Sequence, residues 1–90
     1  MKNLLLTVSD EGDIFIFNAN SHHYVYRKGT GRLEEISVIS EGMEPVKQVE
    51  NVCSTRYGVY VTYRGAIIEI NTNTLESKLI YKNKDKVIHN

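Results

Sequence analysis

Apolar residues along this chain fall in short runs, and turn-forming residues interrupt the runs at intervals of about 8–12 positions. Helical periodicity is almost absent, and the single proline is Pro45. This pattern is typical of an all-β domain. It predicts about eight strands, at Leu4–Val8, Asp13–Asn18, His23–Lys28, Leu33–Ser40, Val46–Ser54, Gly58–Arg64, Ala66–Asn71 and Ser77–Lys82, with a short ninth strand at Lys86–His89.

The chain carries an internal repeat. The segment GDIFIFNANS at 12–21 reappears as GAIIEINTNT at 65–74, 53 residues later. In both copies a glycine precedes an apolar strand that ends in an asparagine-rich turn. Repeated units of this kind bury their faces by packing on copies of themselves. We therefore divide a single domain, residues 1–90, into repeat 1 at about 4–40, a linker at 41–45, repeat 2 at about 46–82 and a tail at 83–90.

The two copies of the repeated strand differ in their polarity. Residues 14–17 are apolar at every position, which predicts a strand that is covered on both faces. In the second copy Ile68 and Ile70 share one face while Glu69 points away, which predicts a half-exposed strand. The turns at 18–21 and 71–74 are expected to form because asparagine side chains accept hydrogen bonds from their own backbone.

The glycine turn, the Ile-Glu-Ile-Asn strand at 68–71 and the Asn-Thr turn that follows resemble a blade of a β-propeller. The second half reads as a complete four-stranded meander, whereas the first half lacks a leading strand. No Trp-Asp pair is present, and the repeat spacing exceeds the WD40 period of roughly 40–45 residues. The resemblance implies two blade-like antiparallel meanders, paired as in a propeller or packed as a compact sandwich or barrel. Because a propeller ring needs about four to eight blades, we expect a homodimer or homotrimer.

The composition excludes several classes of partner. Eleven basic residues balance eleven acidic residues, so no overall field favours nucleic acid or a membrane surface, and we expect neither as a partner. No run approaches the roughly 20 apolar residues of a membrane helix. The single cysteine has no partner for an internal disulfide, which favours a reducing, cytoplasmic location.

No residue combination predicts catalysis, a metal site or a cofactor. His22 and His23 are adjacent on a predicted strand and point to opposite faces, so they do not share a metal, and a solvated strand start is the favoured reading. The acidic cluster at 10–13 lacks the spacing of a calcium loop and reads as a hairpin turn. Cys53 has no histidine near it in sequence and reads as a small, buried, apolar residue.

Six tyrosines without a tryptophan suggest an interaction surface, because tyrosine combines a large apolar ring with a polar tip. Ordinary packing of tyrosines on a sheet is the alternative reading. Aromatic and arginine residues dominate binding hot spots. The predicted binding residues are Tyr24, Tyr26, Tyr60, Tyr63 and Arg64.

These observations favour a small non-enzymatic module that binds a host or partner protein. Frequent asparagine and lysine are typical of AT-rich genomes, such as those of many phages. The specific hypothesis is therefore a phage-encoded inhibitor of a host defence system, of the anti-CRISPR or another anti-defence type, that acts by covering a surface of its target. The alternative is an oligomeric protein that binds a small ligand between repeats, as lectins or nucleotide-sequestering proteins do.

Overall fold

The computed structural model describes residues 3–83, so the strand predicted at Lys86–His89 lies outside the described residues. The described chain contains eight strands and one short 3-10 helix at Glu41–Met43. The strands are β1 (Leu5–Val8), β2 (Ile14–Ala19), β3 (His22–Arg27), β4 (Arg32–Ile36), β5 (Asn51–Thr55), β6 (Gly58–Tyr63), β7 (Ala66–Ile70) and β8 (Ser77–Lys82).

The strands form two four-stranded antiparallel sheets. The first sheet has the order β1-β2-β3-β4, and the second has the order β5-β6-β7-β8. Both are meanders, in which each strand pairs with its neighbours in sequence. The predicted fold class, all-β with two antiparallel meanders and about eight strands, is confirmed.

The sequence repeat corresponds to three strands of each sheet. In the first sheet Leu5 pairs with Phe17, and in the second sheet Val59 pairs with Ile70. This register aligns β1 with β6, β2 with β7 and β3 with β8. The first sheet adds β4 after its repeated unit, and the second adds β5 before its unit. The repeat is thus a three-stranded meander, and each sheet is completed by a strand of unrelated sequence.

One apolar core lies between the sheets and takes equivalent residues from both. Phe15 and Phe17 of β2 are fully buried, and so are their repeat equivalents Ile68 and Ile70 of β7. The two sheets therefore pack with like faces together. In a propeller, successive blades are related by rotation about one axis. Equivalent faces of neighbouring blades would then point in the same direction around that axis and would not meet. Like-face packing matches the sandwich alternative.

The segment between the sheets differs from its prediction. The predicted strand Leu33–Ser40 ends at Ile36, and the predicted strand Val46–Ser54 begins only at Asn51. Pro45 pairs instead with Ile39 in an isolated bridge, and Val46 N donates to Val38 O across 2.8 Å. Three valines of this segment are buried in the shared core: Val38, Val46 and Val49. Their apolar character serves to close the core and not to extend a sheet.

Two side chains tie this segment to the first sheet. Asn18 donates through Nδ2 to Asn3 O and Val49 O, and its Oδ1 accepts from Val49 N at 2.9 Å. His23 Nε2 lies 2.7 Å from Val46 O. The prediction that the Asn18 side chain bonds its own turn is therefore wrong. Its repeat equivalent Asn71 does bond its own turn, because its Oδ1 accepts from the backbone N–H groups of Asn73 and Thr74.

Arg27 holds the sheets together at the other end of the core. Its Nη1 donates to Asp13 Oδ2 at 3.0 Å and to Thr72 O at 2.7 Å, and its Nη2 donates to Asn73 O at 3.4 Å. Asp13 lies in the first sheet's hairpin, and the two carbonyls follow β7 of the second sheet. The guanidinium group thus joins the layers where the apolar core ends.

Candidate binding face on the first sheet

The first sheet presents a second apolar surface, on the side opposite to the core. Strand alternation that turns Phe15 and Phe17 inward turns Ile14 and Ile16 outward. The cross-strand pairs place these isoleucines among other apolar side chains. We name this surface the apolar outer face, and it comprises Leu6, Val8, Ile14, Ile16, Tyr24, Tyr26 and Leu33.

Much of the apolar outer face is open to solvent. Leu6 is 57% exposed, Val8 is 56% exposed and Leu33 is 62% exposed. The prediction that the strand at residues 14–17 is covered on both faces is wrong, because Phe15 and Phe17 are buried whereas Ile14 and Ile16 are only partly buried. Contiguous exposed apolar surface of this kind marks interaction sites in soluble proteins.

The outer face of the second sheet is polar along one of its two rows, whereas its other row carries Ile67 and Tyr81, the repeat equivalents of Ile14 and Tyr26. Tyr60, Glu69 and Lys78 follow one another across β6, β7 and β8. The Tyr60 hydroxyl donates to Glu69 Oε2 at 2.7 Å, and this hydrogen bond raises the pKa of Tyr60 above its usual value. Charged and hydroxyl groups on this surface remain in contact with water, as is usual for a solvent-facing sheet.

The repeat therefore provides an internal comparison between the two outer faces. One row of the first sheet runs Leu6, Ile16 and Tyr24, where the second sheet has Tyr60, Glu69 and Lys78. Polar side chains at the equivalent positions are compatible with the same strand, register and core. The backbone does not require the apolar residues of the first sheet, so their presence calls for another reason.

The five predicted binding residues lie in three separate places. Tyr24 and Tyr26 share the apolar outer face, as predicted. Tyr60 lies on the outer face of the second sheet. Tyr63 points toward the core and is partly buried against it, and Arg64 stacks over its ring at 5.4 Å. The structure does not bring the five together, because Tyr60 and Tyr63 lie on opposite faces of the same strand.

The two histidines have different environments. His22 is exposed, and its Nδ1 lies 2.8 Å from Glu35 Oε2 at the margin of the apolar outer face. His23 is buried, so the predicted solvated strand start is wrong for this residue. Asn18 N donates to His23 Nδ1, which leaves the proton on Nε2 to reach Val46 O. Burial lowers the pKa of His23 below its usual value, although the bond to Val46 opposes the effect.

Cys53 is exposed, which corrects the prediction of a buried cysteine. Val52 and Ser54 on either side of it turn toward the core, where the Ser54 hydroxyl lies 2.6 Å from that of Thr7. Alternation along β5 then places the thiol on the outer face of the second sheet. Within residues 3–83, no group of three or more His, Cys, Asp or Glu side chains is arranged to hold a metal ion.

The sequence interpretation missed the aliphatic part of the apolar outer face. It named the aromatic members but not the aliphatic ones, which are Leu6, Val8, Ile14, Ile16 and Leu33. The signal was present in the alternation, since Leu6 and Val8 share one parity while their neighbours Leu5 and Thr7 share the other. Pairing β1 with β2 before assigning faces would have revealed the continuous surface.

No known protein family, curated protein or solved structure matches the chain. Across the part of the chain that the structure describes, no helix combines the length and apolar character needed to cross a bilayer.

Proposed function

We propose that this chain is a non-enzymatic protein-binding module that docks on another protein through its apolar outer face. The observation that carries the proposal is the contrast between repeat equivalents, above all Ile16 against Glu69 and Tyr24 against Lys78. Both pairs occupy the same positions of one structural unit. In the first sheet this row is apolar and can exclude water against a partner, whereas in the second sheet it is charged.

The composition of the face supports a protein partner. Tyr24 and Tyr26 supply the aromatic area that dominates binding energy at protein interfaces. The aliphatic side chains around them surround this centre with surface that excludes water. Charge is confined to the margin, where Glu35 lies beside His22. A face of this kind loses little by desolvation when another protein covers it.

The specific form that we propose is an inhibitor that covers a functional surface of its target, and the composition suggests a phage origin and a host defence protein.

We also propose that it works in the cytoplasm. The exposed thiol of Cys53 supports this location, since an unpaired accessible thiol is suited to a reducing compartment. The alternative of small-ligand binding remains a prediction, and thermal shift assays against sugars and cyclic nucleotides test it.

Site-specific photo-crosslinking tests the proposed function. A photoreactive phenylalanine analogue replaces Tyr26 in one variant and its repeat equivalent Tyr81 in the matched control. Tyr81 is the more exposed of the two, at 55% against 39%, so accessibility alone favours the control. We expect a covalent adduct with one defined protein from the Tyr26 variant only. Adducts of equal yield from both variants, or none from Tyr26, would contradict the proposal.

The crosslinked protein is then purified and its affinity measured by calorimetry. Substituting Ile16→Glu together with Tyr24→Lys installs the residue types that the second sheet already tolerates. We expect the variant to remain folded and to bind roughly tenfold more weakly or worse, because it removes central hot-spot contacts. Unchanged affinity in the folded double variant would rule out the apolar outer face as the binding surface.

A further inference from the structure

We infer that a second copy of this chain occupies the apolar outer face when no other partner is bound, forming a symmetric dimer. The inference rests on the proposed function, since it names the resting occupant of the same surface. The dimer stacks the first sheets of two copies, with their second sheets outermost. Binding of another protein then requires the dimer to dissociate.

The face is complementary to itself. A two-fold axis in the plane of the interface, perpendicular to the strands, exchanges the two rows of outward side chains. Ile16 of one copy then lies against Ile14 of the second copy, and Tyr24 lies against the second copy's Tyr26. At the centre aliphatic side chains meet aliphatic ones and rings meet rings, while at the margin Leu33 lies against Glu35 of the second copy. Such isologous contact is the commonest arrangement in soluble oligomers.

The distribution of charge permits this contact. The carboxylate of Glu35 lies at one margin of this side of the sheet, where its Oε2 is 2.8 Å from Nδ1 of His22. The central positions of β2 and β3 carry Ile14, Ile16 and tyrosines. A two-fold contact therefore covers the centre without burying a carboxylate there. The equivalent contact between second sheets would bring Glu69 and Lys78 out of water, at a cost in desolvation.

The packing of the two sheets within one chain is a precedent for this contact. There, the repeated three-stranded units already meet with equivalent faces together, as Phe15 and Ile68 show. Twisted antiparallel sheets pack face to face at a spacing of about 10 Å when both faces carry apolar side chains. The apolar outer face offers the same kind of surface on the other side of the same sheet.

The size of the face sets the strength of the dimer. Four strands spaced about 4.8 Å apart, each about five residues long, give roughly 300 Å² in flat projection. Stable interfaces bury about 800 Å² on each partner, and smaller ones belong to transient complexes. We therefore expect a dimer that forms at high concentration and dissociates on dilution, which leaves the face accessible to a tighter partner.

Sedimentation velocity over a wide concentration series tests the inference. The wild-type chain is compared with Ile16→Glu/Tyr24→Lys and with a control at the repeat-equivalent positions, Glu69→Lys/Lys78→Glu, which exchanges the two charges of the second sheet. We expect the wild type and the control to shift from monomer to dimer as concentration rises. The first variant is expected to weaken dimerisation roughly tenfold or more. A wild type that stays monomeric, or a variant that dimerises normally, would overturn the dimer.

A second variant covers the case in which the double substitution unfolds the chain, which circular dichroism reveals. Leu33→Glu changes a side chain that is 62% exposed on the edge strand β4, and in the two-fold contact it places a carboxylate against Glu35 of the second copy. It is expected to weaken the dimer without lowering the melting temperature.

The failure of the dimer and the failure of the proposed function remain distinguishable. A monomer that still crosslinks to another protein through residue 26 overturns only the dimer, whereas a dimer whose only adduct at that position is with itself supports the dimer and overturns the proposed function.

Discussion

The backbone N–H of Asn18 donates to Nδ1 of His23 over 3.1 Å, and this bond fixes which ring nitrogen carries the proton. The other nitrogen, Nε2, is then the donor to Val46 O, which holds the inter-sheet segment against β3. A second proton on the ring has to go on Nδ1, where it meets an N–H group and not an acceptor. The neutral ring is therefore part of the folded structure.

Stability is expected to fall as the pH falls below the usual histidine value of 6.5. The pKa of His23 is lowered in the folded chain, so the unfolded chain binds the proton first and is favoured by acid. The full contribution is present above pH 6.5 and is lost as the pH drops toward the folded-state pKa. Urea denaturation across this range, for the wild type and for His23→Gln, measures it. A dependence of stability on pH that is unchanged in His23→Gln would contradict the assignment.

Replacing Asn18 with alanine is expected to destabilise the fold by about 2–4 kcal/mol. The substitution leaves the carbonyl of Val49 and its amide without their side-chain partner, in a buried place. It also puts alanine at a φ of 68°, which asparagine tolerates better. Asn20→Ala is the control, since it has a similar φ of 60° but lies on the exposed turn. Equal losses of unfolding free energy in the two variants would show that the hydrogen bonds contribute little.

The Arg27–Asp13 ion pair is expected to show a coupling energy of about 1–3 kcal/mol in a double-mutant cycle. Both side chains are largely buried, at 19% and 13% exposure, and the guanidinium also donates hydrogen bonds to the carbonyl oxygens of Thr72 and Asn73. The matched control is the pair Lys82–Glu41, which is 41% and 61% exposed at 2.7 Å. Exposed pairs of this kind contribute about 0–1 kcal/mol. Chemical denaturation of the single and double alanine variants gives both values, and a larger coupling for the exposed pair would refute the comparison.

Cys53 is expected to react with a maleimide reagent in the native state. The thiol is exposed on the outer face of the second sheet, away from the core and from the apolar outer face of the first sheet. Mass spectrometry should show complete single labelling without urea, and the label should leave dimerisation unchanged. Labelling that requires denaturant would mean that the thiol is buried.

The sequence predicted most of the secondary structure, because alternation and turn residues are local properties. The half-buried strand that contains Ile68 and Ile70 is predicted by their alternation with Glu69 alone. Val46 and Val49 misled the prediction, since apolar residues look the same whether they extend a sheet or close its core. The incomplete burial of Ile14 and Ile16 was not predictable, because a strand that is apolar on both sides does not indicate which side its own fold covers.

The site was only partly predictable for a related reason. Tyr24 and Tyr26 were correctly grouped because they lie on one strand at a spacing of two. Tyr60 and Tyr63 were grouped with them by residue type, which carries no information about direction. Their opposite orientations follow from the odd spacing between them, and their separation from Tyr24 follows from the docking of the sheets, which depends on contacts between distant parts of the chain.

The meander order of both sheets bears on how quickly the chain folds. Among the strands of residues 3–83, every hydrogen-bonded pair joins neighbours in sequence, so each sheet forms by closing short loops. Folds dominated by such local pairing cross lower entropic barriers than β-proteins with long crossovers. The docking of the two layers is a long-range event, in which the faces that carry Phe15 and Ile68 lose water together. We expect that step to limit the folding rate, and each layer to be most vulnerable to aggregation just before it.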